Sequence, residues 1–283
     1  MGEYSGTHIV IIAVVLALIV AALWPTEAGG GRLLRGWGLP DADREQRLIA
    51  RNYLRNRRVL YLVFSLAPLP LFGSSGWLVV MLAGLLLAEL VAAFTPVRGG
   101  TRVATLRRRT WRDLVPRWVM ATYLTFAGLA VLGSVLVLLA TPWAAESAAN
   151  QPFSQLDDST PVLSLVIVGV ATLAAGGLVL LATARPSVGD AAADSALRVR
   201  SARVMIALAT VVLADQASRQ LRMVGDYNSP QLAGHPGKPE WLALAGAVFG
   251  GATSWFLLLA AALAWILIAN PMRRPGIVVA ATR

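Results

Sequence analysis

Ionisable and amide side chains inside long apolar segments are the residues of this chain with the clearest potential for chemistry. Glu89 lies in one such segment, and Asp215 and Arg219 lie four residues apart in another. That spacing puts both side chains on one helix face, where they can form an ion pair. Gln216 and Gln220 add a polar edge beside the pair. Because charges at bilayer depth are costly, these five residues are candidates for a substrate or proton pathway.

Two structural alternatives compete with the pathway. The pair of Asp215 and Arg219 could be purely structural, or the helix could leave the membrane at Asp215. Glu89 lies about one turn from the predicted cytoplasmic end of its segment, so its carboxylate could reach the headgroup region. If the pathway exists, Asp215 and Arg219 should point into the helix bundle.

A stripe of arginines is the second feature with binding potential. Its members are spaced 3, 4, 4 and 3 residues apart, as on one helix face: Arg44, Arg47, Arg51, Arg55 and Arg58. We predict a helix over 41–58, with Asp41 as its N-cap and Ile49 and Tyr53 on the opposite face. Such a helix can lie on the inner leaflet and bind anionic lipid headgroups, or dock a cytoplasmic partner.

Residue sets that define common enzymes and metal sites are missing from the sequence. There is no cysteine, the two histidines are His8 and His235, and the single lysine, Lys238, is not in a phosphate-binding loop. Ser254 has no histidine within its own segment to activate it. We therefore expect no catalytic residue, no metal site and no cofactor.

The elements that position these residues are predicted to be transmembrane helices. Hydrophobic residues make up 57% of the 283 positions and charged residues only 14%, about half the usual charged fraction. About 20 apolar residues span a bilayer as a helix. The apolar segments predict an all-α bundle in a single membrane domain, 1–283, with crossings at about 7–24, 59–72, 77–94, 117–140, 161–183, 204–223 and 241–268.

The arginine distribution gives this topology a direction. Of the 25 basic residues, 22 fall in 25–58, 95–117, 184–203 and 270–283, which alternate with the connections 73–76, 141–160 and 226–240, where Lys238 is the single basic residue. Basic loops face the cytoplasm, so the N-terminus is predicted outside and the C-terminus inside. The same rule accounts for the net charge of +10 without a nucleic-acid partner.

Small residues and short repeats add weaker signals. Gly246 and Gly250 have the small-xxx-small spacing of closely packed helices, and Ala174-Ala-Gly-Gly177 suits the same use. Three similar basic tetrapeptides, 54–57, 106–109 and 197–200, precede even-numbered crossings. They are either remnants of a repeated hairpin or chance matches in arginine-rich loops.

These patterns favour a membrane subunit of a transport system that acts with a separate partner. The alternative is a non-transporting scaffold or accessory subunit of a larger membrane complex. The strong preference for arginine over lysine is typical of a GC-rich bacterial genome, so we expect the bacterial cytoplasmic membrane. The expected partners are anionic lipids, a possible cytoplasmic protein and other membrane subunits.

Overall fold

The computed structural model describes residues 24–66, 77–94, 102–103, 110–149, 161–184, 187–188, 190–228 and 236–270. These residues are helical apart from one two-residue ladder and the connections. In chain order the elements are α1 (Glu27–Gly36), α2 (Arg44–Leu66), α3 (Trp77–Phe94), β1 (Arg102–Val103), α4 (Trp111–Leu114), α5 (Arg117–Ala149), α6 (Pro161–Ala184), β2 (Ser187–Val188), α7 (Ala191–Asp226), α8 (Glu240–Phe249) and α9 (Thr253–Ala269).

Two helices, α6 and the Arg117–Ala144 part of α5, are long and apolar enough to cross a membrane, and α8 with α9 forms a third candidate if the bent pair is one span. The chain is thus a helical membrane protein with two or three crossings supported directly. The seven predicted crossings are not all confirmed. Crossing 1 lies outside the described residues apart from Trp24, α3 contributes only a shorter apolar helix, Met81–Ala92, and α2 and α7 are not among the helices that qualify.

Helix α7 occupies the centre of the bundle. It packs against α5, α6 and α9 along most of its length and also contacts α3 and α8. Its alanines, among them Ala202, Ala207, Ala209 and Ala214, are completely buried, and small side chains allow neighbouring helices to approach closely. The predicted crossing 204–223 lies in the C-terminal part of this longer helix.

The outer helices each have a buried face and an exposed apolar face, as expected for contact with lipid. On α6 the inward residues recur every three or four positions, and they include Val168, Ala171, Ala175 and Leu178. Leu173, on the opposite side of α6, is 76% exposed. In the predicted packing segment 174–177, Ala175 is buried, but a Cβ added to Gly176 or Gly177 would contact nothing, so these glycines do not mediate close packing.

The basic end of the molecule is built by α1, α2 and the ladder. Asp43, and not the predicted Asp41, caps α2: its carboxylate accepts from Gln46 N, and Gln46 Oε1 accepts from Asp43 N. This reciprocal box satisfies two free amides of the first turn, which Asp41 lies too far out to reach. The ladder pairs Arg102 with Val188, so the segments that follow α3 and α6 meet at the same end of the bundle.

The predicted single crossing 241–268 is divided into α8 and α9, which meet at 47°. Gly250 and Gly251 occupy the break, and Gly251 has a φ of +62°, a conformation that glycine adopts without strain. The break packs on α7, where a Cβ added to Gly225 would lie 2.5 Å from the Cα of Gly250. Gly246 lies equally close to Asn228, so the two glycines at 246 and 250 do permit close helix packing.

Candidate functional site

The first polar cluster, called the inner cluster, joins α2, α3 and α7 through Arg57, Glu89, Tyr61, Tyr53 and Ser201. The Nε of Arg57 donates to both carboxylate oxygens of Glu89, at 3.0 and 2.9 Å. The Tyr61 hydroxyl donates to the same carboxylate. Glu89 is completely buried and Arg57 is 5% exposed. The carboxylate therefore lies inside the bundle and not on its surface.

Other polar atoms of the inner cluster are also hydrogen-bonded. Arg57 Nη2 donates to Ser201 Oγ at 2.8 Å, and Ser201 Oγ also lies 2.9 Å from the Tyr53 hydroxyl. The Arg57 guanidinium stacks 3.8 Å from the Tyr53 ring centroid, a cation–π contact. Arg200 donates to the Tyr53 hydroxyl at 3.1 Å. A buried charge is tolerated only when paired and hydrogen-bonded, and this cluster meets that condition.

The second cluster, called the outer cluster, consists of Asp215, Gln216, Arg219 and Gln220 on α7. Arg219 Nε lies 3.0 Å from Asp215 Oδ2, so the predicted ion pair is present. The Asp215 side chain is 5% exposed and that of Arg219 is 24% exposed. Gln216 Nε2 donates to the same carboxylate oxygen at 3.2 Å. Both partners thus lie within the bundle, and the arginine keeps limited access to its edge.

Gln220 is an exception to the rule that buried polar groups are paired, as is the indole N–H of Trp143. The Gln220 side chain is completely buried, and neither amide atom has a hydrogen-bond partner among the described residues. Its Cβ lies 3.0 Å from the position that a Cβ on Gly133 would occupy, so the lack of a side chain on α5 brings the two helices together here. Leaving a buried amide unpaired costs about 1–3 kcal/mol, and such groups often mark functional positions.

Ser201 of the inner cluster and the Asp215–Arg219 pair of the outer cluster fall on one stripe of α7. Its members follow a spacing of three and four residues: Asp194, Arg198, Ser201, Met205, Leu208, Val212, Asp215, Arg219 and Arg222. At 1.5 Å per residue, about 21 Å of helix separates Ser201 from Asp215. Met205, Leu208 and Val212, which fill this interval, belong to the apolar core. The stripe is therefore polar at both ends and apolar between them.

A third ion pair closes the basic end of the stripe. Arg198 lies 2.6 Å from Asp194 and donates to the carbonyl of Ala182 on α6 at 3.1 Å. Asp194 and Arg198 are each 5% exposed. This pair fixes the start of α7 against the end of α6.

The break between α8 and α9 lies beside the outer half of α7. Ser218, on the turn that carries the outer cluster, donates to the carbonyl of Ser254 at 3.1 Å. The Ser254 hydroxyl in turn donates to Gly251 O at 3.3 Å. An interrupted helix exposes backbone carbonyls and amides that a continuous one pairs internally. The outer cluster therefore adjoins backbone that is able to bind polar groups.

The arginine stripe of α2 is divided by the structure. Arg47 donates to the carbonyls of Ala42 and Asp43 at the start of α2, and Arg51 donates to that of Pro25 at the start of α1. Arg51 thus joins the two packed helices α1 and α2, which together are called the α1–α2 platform. Arg44 and Arg55 are exposed and remain available for an external contact.

Arg58 is partly buried, and burial together with the positive charge of Arg200 lowers its pKa. The two guanidiniums thus concentrate positive charge at the basic end of α2 and α7. An anion placed there would relieve their mutual repulsion.

Arg57 and Tyr61 are the members of the inner cluster, besides Ser201, that the sequence did not single out as site residues. Arg57 lies off the predicted arginine stripe, but it follows Tyr53 by four residues, on the face predicted to be buried. Leu54 and Leu197 begin two of the repeated tetrapeptides and lie in one apolar cluster, so these tetrapeptides pack near each other. The third tetrapeptide lies outside the described residues.

Metal-ligand clusters are absent from the described part of the chain: no three His, Asp or Glu side chains there could together hold an ion. Compared with protein families, with curated proteins and with solved structures, the chain has no match. Functional inference therefore rests on the two polar clusters and the elements that carry them.

Proposed function

We propose that the chain is a multi-pass protein of the bacterial cytoplasmic membrane and serves as a membrane subunit of a transport system. The observation that carries this proposal is Gln220, a completely buried amide without a partner among the described residues, beside the Asp215–Arg219 pair. Polar groups at bilayer depth are most often retained because a solute, ion or proton passes them.

The proposed topology keeps all seven crossings. Antiparallel packing of consecutive helices supports it: Tyr123 of α5 meets Thr172 of α6, and Ala182 of α6 meets Arg198 of α7. The ladder between the segments after α3 and α6 agrees with both segments being cytoplasmic. The Asp215–Arg219 pair of α7 is compatible with a crossing because protein encloses Asp215 and most of Arg219.

The path is proposed to follow the polar stripe of α7. Many transporters bind their substrates where a discontinuous helix meets a polar helix near the bilayer centre. The outer cluster and the α8–α9 break have this relation. The inner cluster would close the cytoplasmic end, and the apolar residues between the clusters would block passage in the described state.

The exposed arginines at the basic end provide a docking surface for the partner. Arg44 and Arg55 project from the α1–α2 platform, and an ATPase on the cytoplasmic side is the partner that this arrangement favours. The chain itself is proposed to have no enzymatic activity, no cofactor and no nucleic-acid partner.

Purification of the tagged protein in mild detergent tests the proposal. We expect an ATPase to copurify, with activity that falls when the outer cluster is altered by Asp215→Asn or Gln220→Leu while the complex stays assembled. Leu173→Ala, on the lipid-facing side of α6, is the control and should leave the activity unchanged. Recovery of a complex without any transport component would contradict the proposal, as would full activity in both outer-cluster variants.

A scaffold or accessory role is the second candidate. It is favoured by the exposed apolar face of α9, where Trp255, Phe256 and Leu259 are each more than 60% exposed, because such a face can pack against another membrane subunit. In that case the complex should lose a subunit when this face is altered by Phe256→Ala and should be insensitive to Gln220→Leu.

A further inference from the structure

Two arginines at the basic end of the bundle, Arg58 on α2 and Arg200 on α7, lie near each other without a counter-charge. Both side chains are partly buried. Neither forms an ion pair with a carboxylate among the described residues, although Arg57 and Arg198, close to them in the chain, each do so. Burial and the charge of Arg200 lower the pKa of Arg58, as expected when two cations share a poorly solvated place.

Arg200 is held in position by uncharged groups. Its Nη1 donates to the Tyr53 hydroxyl at 3.1 Å, and its guanidinium carbon lies 5.4 Å from the centroid of the same ring. Arg203, three residues later and therefore on the same face of α7, lies 5.3 Å from the ring centroid of Trp37. Helix α7 thus directs two positive charges toward the α1–α2 platform, and the contacts of Arg200 do not neutralise its charge.

The two arginines lie where the exposed surface of α2 changes from polar to apolar. Arg55 and Asn56, just before Arg58, are exposed polar residues, whereas Val59 and Val63, just after it, are 43% and 52% exposed. If 59–72 crosses the membrane as proposed, this change marks the level of the lipid headgroups. Phosphate groups are the anions that lipids place at that level.

The chemistry of the two side chains also favours phosphate. A guanidinium presents a planar fork of N–H donors that matches two oxygens of a phosphate, and the hydrogen bonds are strengthened by the opposite charges. The Arg58 side chain makes no hydrogen bond to any described residue, so its donors are available to a ligand. A phosphate between the guanidiniums would supply the missing counter-charge to both arginines.

We propose that Arg58 and Arg200 form a binding site for one phosphate group between α2 and α7, taken either from the headgroup of an anionic phospholipid or from solution. The site includes only Arg58 of the predicted arginine stripe, and it is separate from the exposed Arg44 and Arg55. Its lipid source rests on the proposed crossing at 59–72, but the site does not depend on the transport role.

Thermal unfolding of the delipidated full-length protein in a neutral detergent tests the site. The probes are phosphatidylglycerol, phosphatidylcholine with the same acyl chains, and inorganic phosphate compared with sodium chloride at equal ionic strength. We expect phosphatidylglycerol to raise the unfolding temperature by several degrees more than phosphatidylcholine does, because a ligand stabilises the state that binds it.

The same measurement distinguishes the two sources of phosphate. A rise with phosphatidylglycerol but not with inorganic phosphate would identify a lipid headgroup as the ligand. An equal rise with inorganic phosphate would identify dissolved phosphate. No rise with either anion would overturn the site, and so would equal rises with phosphatidylglycerol and phosphatidylcholine in the absence of any response to inorganic phosphate.

Arg58→Gln and its control Arg44→Gln each remove one positive charge from α2. Because Arg58 is repelled by Arg200 and bonds to no described residue, Arg58→Gln without phosphate should unfold at a temperature no lower than that of the original protein. It should nevertheless lose the response to the anionic probe. Arg44→Gln should retain that response. Equal responses of the two variants would overturn the site, since the attraction would then be to the net charge of the basic end.

Arg200 is tested by a pair of substitutions at one position. Arg200→Gln should abolish the response, and Arg200→Lys, which keeps the positive charge, should restore part of it. A full response in Arg200→Gln would contradict the proposal. Absence of a copurifying ATPase from a protein that shows the expected responses would affect the proposed function alone.

Discussion

Buried polar side chains in this bundle differ sharply in how completely they are hydrogen-bonded. The Glu89 carboxylate receives three hydrogen bonds, from Arg57 and Tyr61, whereas the Gln220 amide has none among the described residues. Removing either Arg57 or Glu89 leaves the other as a buried charge without a counter-charge. Replacing the Gln220 amide with an apolar group removes the free-energy cost of an unpaired buried polar group. The two sites therefore predict opposite effects of mutation on stability.

Glu89→Gln should destabilise the protein strongly. The substitution leaves the Arg57 guanidinium buried without its counter-charge, and breaking a buried pair in this way costs about 3–5 kcal/mol. Thermal unfolding in detergent, followed by the fluorescence of the nine tryptophans, measures the change.

The double variant Arg57→Leu with Glu89→Leu is the control, since removing both charges should recover most of the stability. A single Glu89→Gln variant as stable as the original protein would show that the pair is not needed to hold α2 and α3 together.

Gln220→Leu should leave stability unchanged or raise it by about 1 kcal/mol, because an apolar side chain of similar size replaces an unpaired amide. The same unfolding assay applies. Ser134→Ala is a useful comparison because the Ser134 hydroxyl is also buried but is bonded to Ala130 O and Ser164, so its removal should destabilise. A large loss of stability in Gln220→Leu would instead indicate that the amide is satisfied in the membrane.

At the scale of helices, contact between α7 and the α8–α9 break depends on glycine. Gly225→Ala should destabilise by about 1–3 kcal/mol, since the new methyl group would collide with the backbone of Gly250 and force the helices apart. Gly128→Ala on α5 is the matched control: nothing lies near its added Cβ, so the better helix propensity of alanine should stabilise by about 1 kcal/mol. Equal effects of the two substitutions would argue against the close contact.

The most apolar helices were the most predictable from the sequence. The apolar stretch from Pro161 coincides with α6, and the predicted crossing 77–94 coincides with α3. Hydrophobicity alone could not reveal the break at Gly250, because both α8 and α9 are apolar and no charge marks their junction. Hydrophobicity also could not predict that α5 continues to Ala149, since this last part of the helix lies past Pro142 and beyond the apolar run.

Within the candidate site, the sequence predicted the contact between residues of one helix but not the contacts between helices. Asp215 and Arg219 lie on the same helix, so their spacing was sufficient to predict the ion pair. The partner of Glu89 lies 32 residues away along the chain, and although Arg57 lies off the arginine stripe, the local pattern does not pair it with Glu89. Such tertiary pairs depend on how helices pack, which the sequence pattern of one helix does not determine.

At the scale of the whole molecule, the topology can be tested because the chain has no cysteine. Asn56→Cys on α2 and Glu240→Cys at the start of α8 are both exposed positions, predicted inside and outside respectively. An impermeant maleimide added to intact cells should label Glu240→Cys and not Asn56→Cys. The opposite pattern would invert the orientation, and labelling of both would remove at least one crossing between them.

The enclosure of α7 has a consequence for how the protein is made. A helix with charges at positions 215 and 219 enters a bilayer poorly by itself, since each charge at the helix centre costs about 2.5–3.5 kcal/mol during insertion. Its neighbours α5 and α6 are synthesised first, but α9, with which it shares one of its largest contacts, follows it. If α7 crosses the membrane as proposed, nascent chains that end before α9 should therefore leave α7 incompletely inserted, and α9 should complete the insertion of α7.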